Sequence, residues 1–205
     1  MSLTKPQILT EIRALLNEPT AVFWTDTEIN NWIDQAALDI SAKTLCYETT
    51  SDITLATDTI SYAEPAGCLK VHAILYENKP LTKADAKKIG TAAARDAGEP
   101  EYWFHYAKKI WLWPVPDSSR TDKKATCLLH ASTNDITLIK DEYQPFAILF
   151  GLSKGLLKDR KYTQSAHVYQ MYLNSLGFHR QDLQMKPADA KDQYEIPDYT
   201  FREKQ

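Results

Sequence analysis

The chain has 205 residues, of which 43% are hydrophobic and 25% charged, and a formal net charge of −3. That length fits one domain, or a domain with a sizeable insertion, and the mild acidity disfavours a general nucleic-acid binder, which needs a clustered basic surface. No apolar run approaches the roughly 18 residues of a membrane span, and the N-terminus lacks the basic start and unbroken apolar core of a signal peptide. Cys46, Cys68 and Cys127 stand far apart, outside any CxxC spacing, and are expected to be reduced and buried.

The first helix opens at Thr4, whose pairing with Gln7 makes a capping box, with Leu3 and Ile8 placed as a hydrophobic staple. Ile8, Ile12, Leu15 and Leu16 form its apolar stripe, and Asn17-Glu18-Pro19 ends it. The second helix repeats the device: Thr25 caps with Glu28, and Trp24 is set to staple onto Ile29. Its buried face is Ile29, Trp32, Ile33, Ala36, Ala37 and Ile40. Together these two helices predict an αα-hairpin.

From Cys46 the apolar period becomes two. Ile53 and Leu55 precede a polar turn at Thr57-Asp58, with Ile60 and Tyr62 beyond it. Leu69–Tyr76 is the clearest strand, closed by a turn at Glu77-Asn78-Lys79-Pro80. Residues 83–97 are rich in Ala and Lys and predict a short helix or two. The stretch from Gly98 to Asp117 then holds three of the five tryptophans. Tyr102, Phe104 and Tyr106 alternate with Trp103 and His105. After a break at Ala107-Lys108, Ile110 and Leu112 alternate with Trp111 and Trp113. This predicts an aromatic β-hairpin covered on both faces, by the domain or by a neighbouring subunit, and ended by Pro114 and Pro116. A last strand, Ala125–Ser132, follows a polar loop.

Helical character returns at Asp141. Phe146–Leu157 is apolar nearly all round, as in a helix buried on most sides, and Tyr162, Ala166, Tyr169, Leu173 and Leu176 give one more stripe. The expected class is therefore α+β. A helical hairpin at 1–45 and closing helices at 134–183 form a bundle, from which a small antiparallel β module at 46–133 projects. The tail, 184–205, carries Pro187, Pro197 and many charges, yet also Tyr194, Ile196, Tyr199 and Phe201. It reads either as a loose terminus or as a segment that orders on a partner with those four as anchors.

Catalytic signals are sparse. Gly151-Leu152-Ser153-Lys154-Gly155 fits G-x-S-x-G, and Asp159, His167 and His179 follow it. A serine hydrolase needs a parallel sheet around that elbow and an upstream oxyanion loop, and the chain offers neither, so small residues for close helix packing explain the pattern better. The five histidines, His72, His105, His130, His167 and His179, show no ligand spacing. Six glycines make no phosphate loop, and no acidic run suggests calcium; no cofactor or metal is expected.

The order of motifs carries a resemblance. Trp24-Thr25-Asp26-Thr27-Glu28-Ile29 leads into Trp32-Ile33-Asp34-Gln35-Ala36; Pro65 precedes Leu69-Lys70-Val71; Pro100-Glu101-Tyr102-Trp103 leads to Ile110–Pro116; Asp141-Glu142-Tyr143 opens the closing helices. Over most of residues 1–183 this resembles tailed-phage head–tail connector proteins of the adaptor, or tubular gatekeeper, type. Ala107-Lys108 stands where that pattern has Gly or Asn. The resemblance implies a non-enzymatic virion protein, made in the bacterial host cytoplasm, whose copies form a twelve-fold ring under the portal. That ring extends the DNA channel without binding DNA specifically and docks the next tail component. It further implies that the bundle makes subunit contacts and that the tail, through Tyr194, Ile196, Tyr199 and Phe201, reaches the portal. A stopper or tail-completion role in the same virion is the alternative.

Overall fold

A computed structural model describes residues 2–84 and 97–184, with side chains to residue 178. The helix expected within 83–97 and the four aromatic and aliphatic residues of the C-terminal tail lie outside the described residues. The described chain is α+β, with helices α1 (Lys5–Leu15), α2 (Asp26–Thr44), α3 (Phe146–Lys158) and α4 (Tyr162–Gln184) flanking ten strands. The strands are β1 (Glu48–Thr54), β2 (Ser61–Ala63), β3 (Cys68–Tyr76), β4 (Lys79–Pro80) and β5 (Thr82–Lys83), followed by β6 (Ala97–Gly98), β7 (Tyr102–Tyr106), β8 (Lys109–Trp113), β9 (Val115–Pro116) and β10 (Lys124–Ala131).

Local chemistry starts the helices where expected. Thr25 Oγ1 accepts the Glu28 N–H at 3.2 Å while Glu28 Oε2 accepts the Thr25 N–H at 3.0 Å, a complete capping box. At Thr4 the reciprocal half is made, with Gln7 Oε1 accepting the Thr4 N–H at 2.8 Å. Ile8, Ile12, Ile29, Ile33, Ala36, Ala37 and Ile40 are buried, and with Ala147, Phe150, Tyr172 and Leu176 they form a core shared by all four helices. Leu15, expected in the stripe of α1, is exposed, and its neighbour Arg13 is buried instead. The stripe of α4 is also rotated from expectation. Tyr172 and Leu176 are buried and Tyr169 and Leu173 partly so, whereas Tyr162 and Ala166 are exposed. The cause lies in the first turn, where Ser165 is the buried residue and its Oγ donates to the Ser153 carbonyl at 2.8 Å.

The strands form a separate core. One sheet has the order β1-β10-β3-β4, a second β2-β8-β7-β5, and β6 pairs with β9. Ladders within the first sheet are antiparallel, but β5 meets β7 and β6 meets β9 in parallel, each through two residues, so the β module is not purely antiparallel. Between the sheets lie Ile53, Val71, Ile74, Tyr76, Ala125, Cys127 and Leu129 from one side and Trp103, Ile110 and Leu112 from the other. In β3, Val71 pairs with Leu129 and Ala73 with Leu128, so His72 is the extra residue of a bulge. That extra residue shifts the side-chain phase, which is why Val71, Ile74 and Tyr76 share the core rather than every second residue. The two cores meet at Tyr47, which packs against both. There the Ala131 N–H donates to the Tyr47 carbonyl at 3.0 Å and the Thr133 N–H to Ser41 Oγ at 3.2 Å.

Candidate assembly surfaces

The first surface is the turn between α1 and α2, residues 16–25. Pro19 prevents α1 from continuing, and Asn17 turns the chain with φ 56°. One carboxylate then gathers the far side of the turn: Glu18 Oε1 accepts the N–H groups of Val22 and Phe23 at 2.8 Å and of Trp24 at 3.0 Å. Burial pushes the Glu18 pKa up, but these three donors and the nearby Arg13 outweigh it and hold the carboxyl below its usual range. Arg13 ties the loop from beneath. Its Nη2 donates to Asp26 Oδ1 at 2.5 Å and to the Trp24 carbonyl at 2.8 Å. From α3, Lys158 Nζ donates to the Phe23 carbonyl at 2.8 Å and to Glu28 at 2.8 Å, and sits 4.7 Å from the Phe23 ring centre. Trp24 is buried against this frame, its Nε1 donating to the Gly155 carbonyl at 3.2 Å. The result is a tightly held loop with Val22, 82% exposed, at its tip and Phe23 half exposed beside it.

The second surface is a groove of about 290 Å³ between α3 and α4, lined by Leu157, Tyr162, Ala166 and Tyr169 with Ser153 and Ser165 at its base. Lys154 stands at its rim, its ammonium 5.1 Å from the Phe150 ring centre.

The third is the outer face of the aromatic hairpin. Trp103, Ile110 and Leu112 are buried inward, as one face of the expected hairpin requires. Outward, Tyr102 lies against Trp113 with ring centres 5.3 Å apart and Phe104 stacks on Trp111 at 5.4 Å. These four rings are half-buried and Tyr106 at the tip is 66% exposed, so the outer cover expected of the domain is only partial. Ala107 and Lys108 both have positive φ, 51° and 58°, the signature of a type I′ turn formed without Gly or Asn.

The catalytic pattern does not assemble. Ser153 sits inside α3, 3% exposed, with its hydroxyl donating to the Phe150 carbonyl at 2.7 Å, so it lies on no strand-to-helix elbow and the hydrolase reading fails on geometry. Its glycines have a packing role: a Cβ on Gly151 would lie 2.4 Å from Ile12 Cδ1 and one on Gly155 2.8 Å from Leu16 Cδ1, so both let α1 approach α3. His72 and His130 come together, ring centres 6.3 Å apart, in a hollow with Glu48, Thr50 and Leu128. Glu48 is bonded to Lys140, which holds its carboxyl below the usual range. His105 instead meets Glu64 at 2.8 Å on the other sheet. Among the described residues no group of three or more His, Cys, Asp or Glu is placed to hold a metal ion.

The described residues thus offer a firmly held loop, an apolar groove and half-exposed aromatic rings as candidate contact surfaces. The profile of the SU10 adaptor protein family matches residues 4–191. The chain belongs to this family and is thus a bacteriophage head–tail adaptor, a structural component of the virion that associates with other head and tail components. No curated protein matches the chain. Sequence reasoning missed Arg13 and Glu18, although an Arg on a helix flank followed five residues later by a Glu before Pro was a usable signal.

Proposed function

We propose that twelve copies of this chain close into a ring beneath the portal after DNA packaging, prolonging the DNA channel and offering a platform to the next tail component. The family match over residues 4–191 carries this reading. In it the four helices act as a bundle that contacts neighbouring subunits, the β module of 46–133 projects from it, and residues 184–205 dock on the portal through Tyr194, Ile196, Tyr199 and Phe201. A net charge of −3 suits a channel through which DNA slides without sticking.

The test is negative-stain imaging with native mass measurement, on the protein alone and mixed with its portal. A ring added to the portal and lost on deletion of residues 184–205 supports the reading and its docking segment. A ring that ignores the portal, or binding only to a preformed tail, favours the stopper or tail-completion role instead.

A further inference from the structure

We infer that the Val22–Phe23 loop of one copy seats in the α3–α4 groove of the next, so that subunits join head to tail through a knob and a socket. This rests on the assembly reading above and names the contact surface within it. Three observations carry it. The loop is pre-organised, since three backbone N–H groups converge on Glu18 and Lys158 holds the Phe23 carbonyl, so little ordering entropy remains to be lost when its apolar tip is buried. The groove, about 290 Å³ and lined by Leu157, Tyr162, Ala166 and Tyr169, offers an apolar recess for one or two such side chains.

Charge is the third. The loop is flanked by the carboxylates of Glu18, Asp26 and Glu28 against two cations, Arg13 and Lys158. The socket rim carries Lys154, which enters no ion pair among the described residues. Three carboxylates against two cations leave the loop flank one negative charge in excess, with Asp26 62% exposed, opposite in sign to Lys154 at the socket.

Placement makes the contact intermolecular. α1 lies on the Gly151–Gly155 flank of α3, while the groove is formed on the flank of Ser153, Lys154 and Leu157, about a third of a turn around the helix. The knob, held to Gly155 and Lys158, and the socket, on Ser153, Lys154 and Leu157, thus face different directions around α3. Such a heterologous contact repeats with a fixed rotation and closes when that rotation divides the circle.

The experiment is disulfide trapping in full-length protein carrying Cys68→Ser, since Cys46 and Cys127 are buried. One preparation carries Val22→Cys, a second Ala166→Cys, and a control Ser118→Cys on an exposed turn; all three positions are exposed, and none of the three side chains supports the core. They are mixed pairwise under mild oxidation, alone and on portal-bearing heads, and bonds are located by peptide mass spectrometry. The expected result is a bond between chains joining positions 22 and 166, at least tenfold over the 22–118 control. A dominant 22–22 bond would show a two-fold contact and overturn the proposal, as would 22–166 trapping no better than the control in both settings. Rings seen on the portal without the 22–166 bond defeat this geometry alone. The bond without portal binding leaves the contact standing and defeats the portal reading.

Discussion

Arg13 and Asp26 face each other across the turn between the first two helices, with Nε at 2.9 Å and Nη2 at 2.5 Å from the same carboxylate oxygen, Oδ1. The arginine side chain is 6% exposed and the aspartate 62%, so the pair sits at the edge of the core with its cation inside. Arg13→Met removes the buried donor, strips the Trp24 carbonyl of its partner and leaves Glu18 with its three N–H donors alone. The expected loss is about 2–3 kcal/mol of unfolding free energy, read from urea denaturation. Asp26→Asn, at the exposed end, is expected to cost less than half as much.

Gly151 and Gly155 allow α1 and α3 to approach. A Cβ at 151 meets Ile12, which has no free surface to retreat into, whereas at 155 it meets the ends of the partly exposed Leu16 side chain. Gly151→Ala is expected to destabilise by about 1–3 kcal/mol despite its helix-propensity gain, and Gly155→Ala by clearly less. The same denaturation series ranks the two; the reverse order would contradict the packing.

Glu28 is held at a pKa of about 2, against its usual 4.5, first by the hydrogen bond from Lys158 and then by the N–H and hydroxyl of Thr25. A depressed carboxylate contributes stability that is present above its unfolded pKa and lost as pH falls through the folded one. The contribution of Glu28 is thus whole above about pH 5 and disappears between there and pH 2. Lys158→Met is expected to move the Glu28 titration, followed by carboxyl NMR shifts, back towards 4.5 and to flatten stability over that window.

The Ala107-Lys108 turn holds two side-chain-bearing residues in the left-handed region. Replacing them by Asn-Gly, through Ala107→Asn and Lys108→Gly, relieves that strain while keeping the Tyr106–Lys109 register. The gain is expected to be about 1 kcal/mol, seen as a higher Tm with no change in the β-sheet circular dichroism.

Features made between near neighbours are legible in the chain itself. The Thr25–Glu28 box, the buried stripe of α2 and the two-sided alternation of the aromatic hairpin are all written in residues at short separation. The packing role of Gly151 and Gly155 was legible in kind, because small residues on an apolar helix leave few other uses, but their partners Ile12 and Leu16 are distant in the chain. Of the candidate site, the surfaces offered by the turn at 16–25 and the α3–α4 groove were not legible, since the turn is anchored on Gly155 and Lys158 and the groove depends on how α4 packs back on α3.

Long-range partners decided the rest. Periodicity placed Tyr162 and Ala166 on the inner face of α4, but the bond from Ser165 to the Ser153 carbonyl turned that face and brought Tyr172 inside, where its hydroxyl donates to Asp39 at 2.6 Å. The bulge at His72 reset the phase of β3, and no alternation rule can foresee an inserted residue. Arg13 is buried only because the chain returns across it, the turn bringing the Trp24 carbonyl and α2 bringing Asp26. Caps, periods and motif order are local, so the starts of α1 and α2, the longer strands and the likeness to head–tail adaptors were legible, whereas the helix expected from Asp141 begins at Phe146 and the short strands β5, β6 and β9 exist only through their partners. Only the tertiary structure decided which side of each element is buried, because the desolvation cost of a polar group depends on whether a distant residue arrives to bond it.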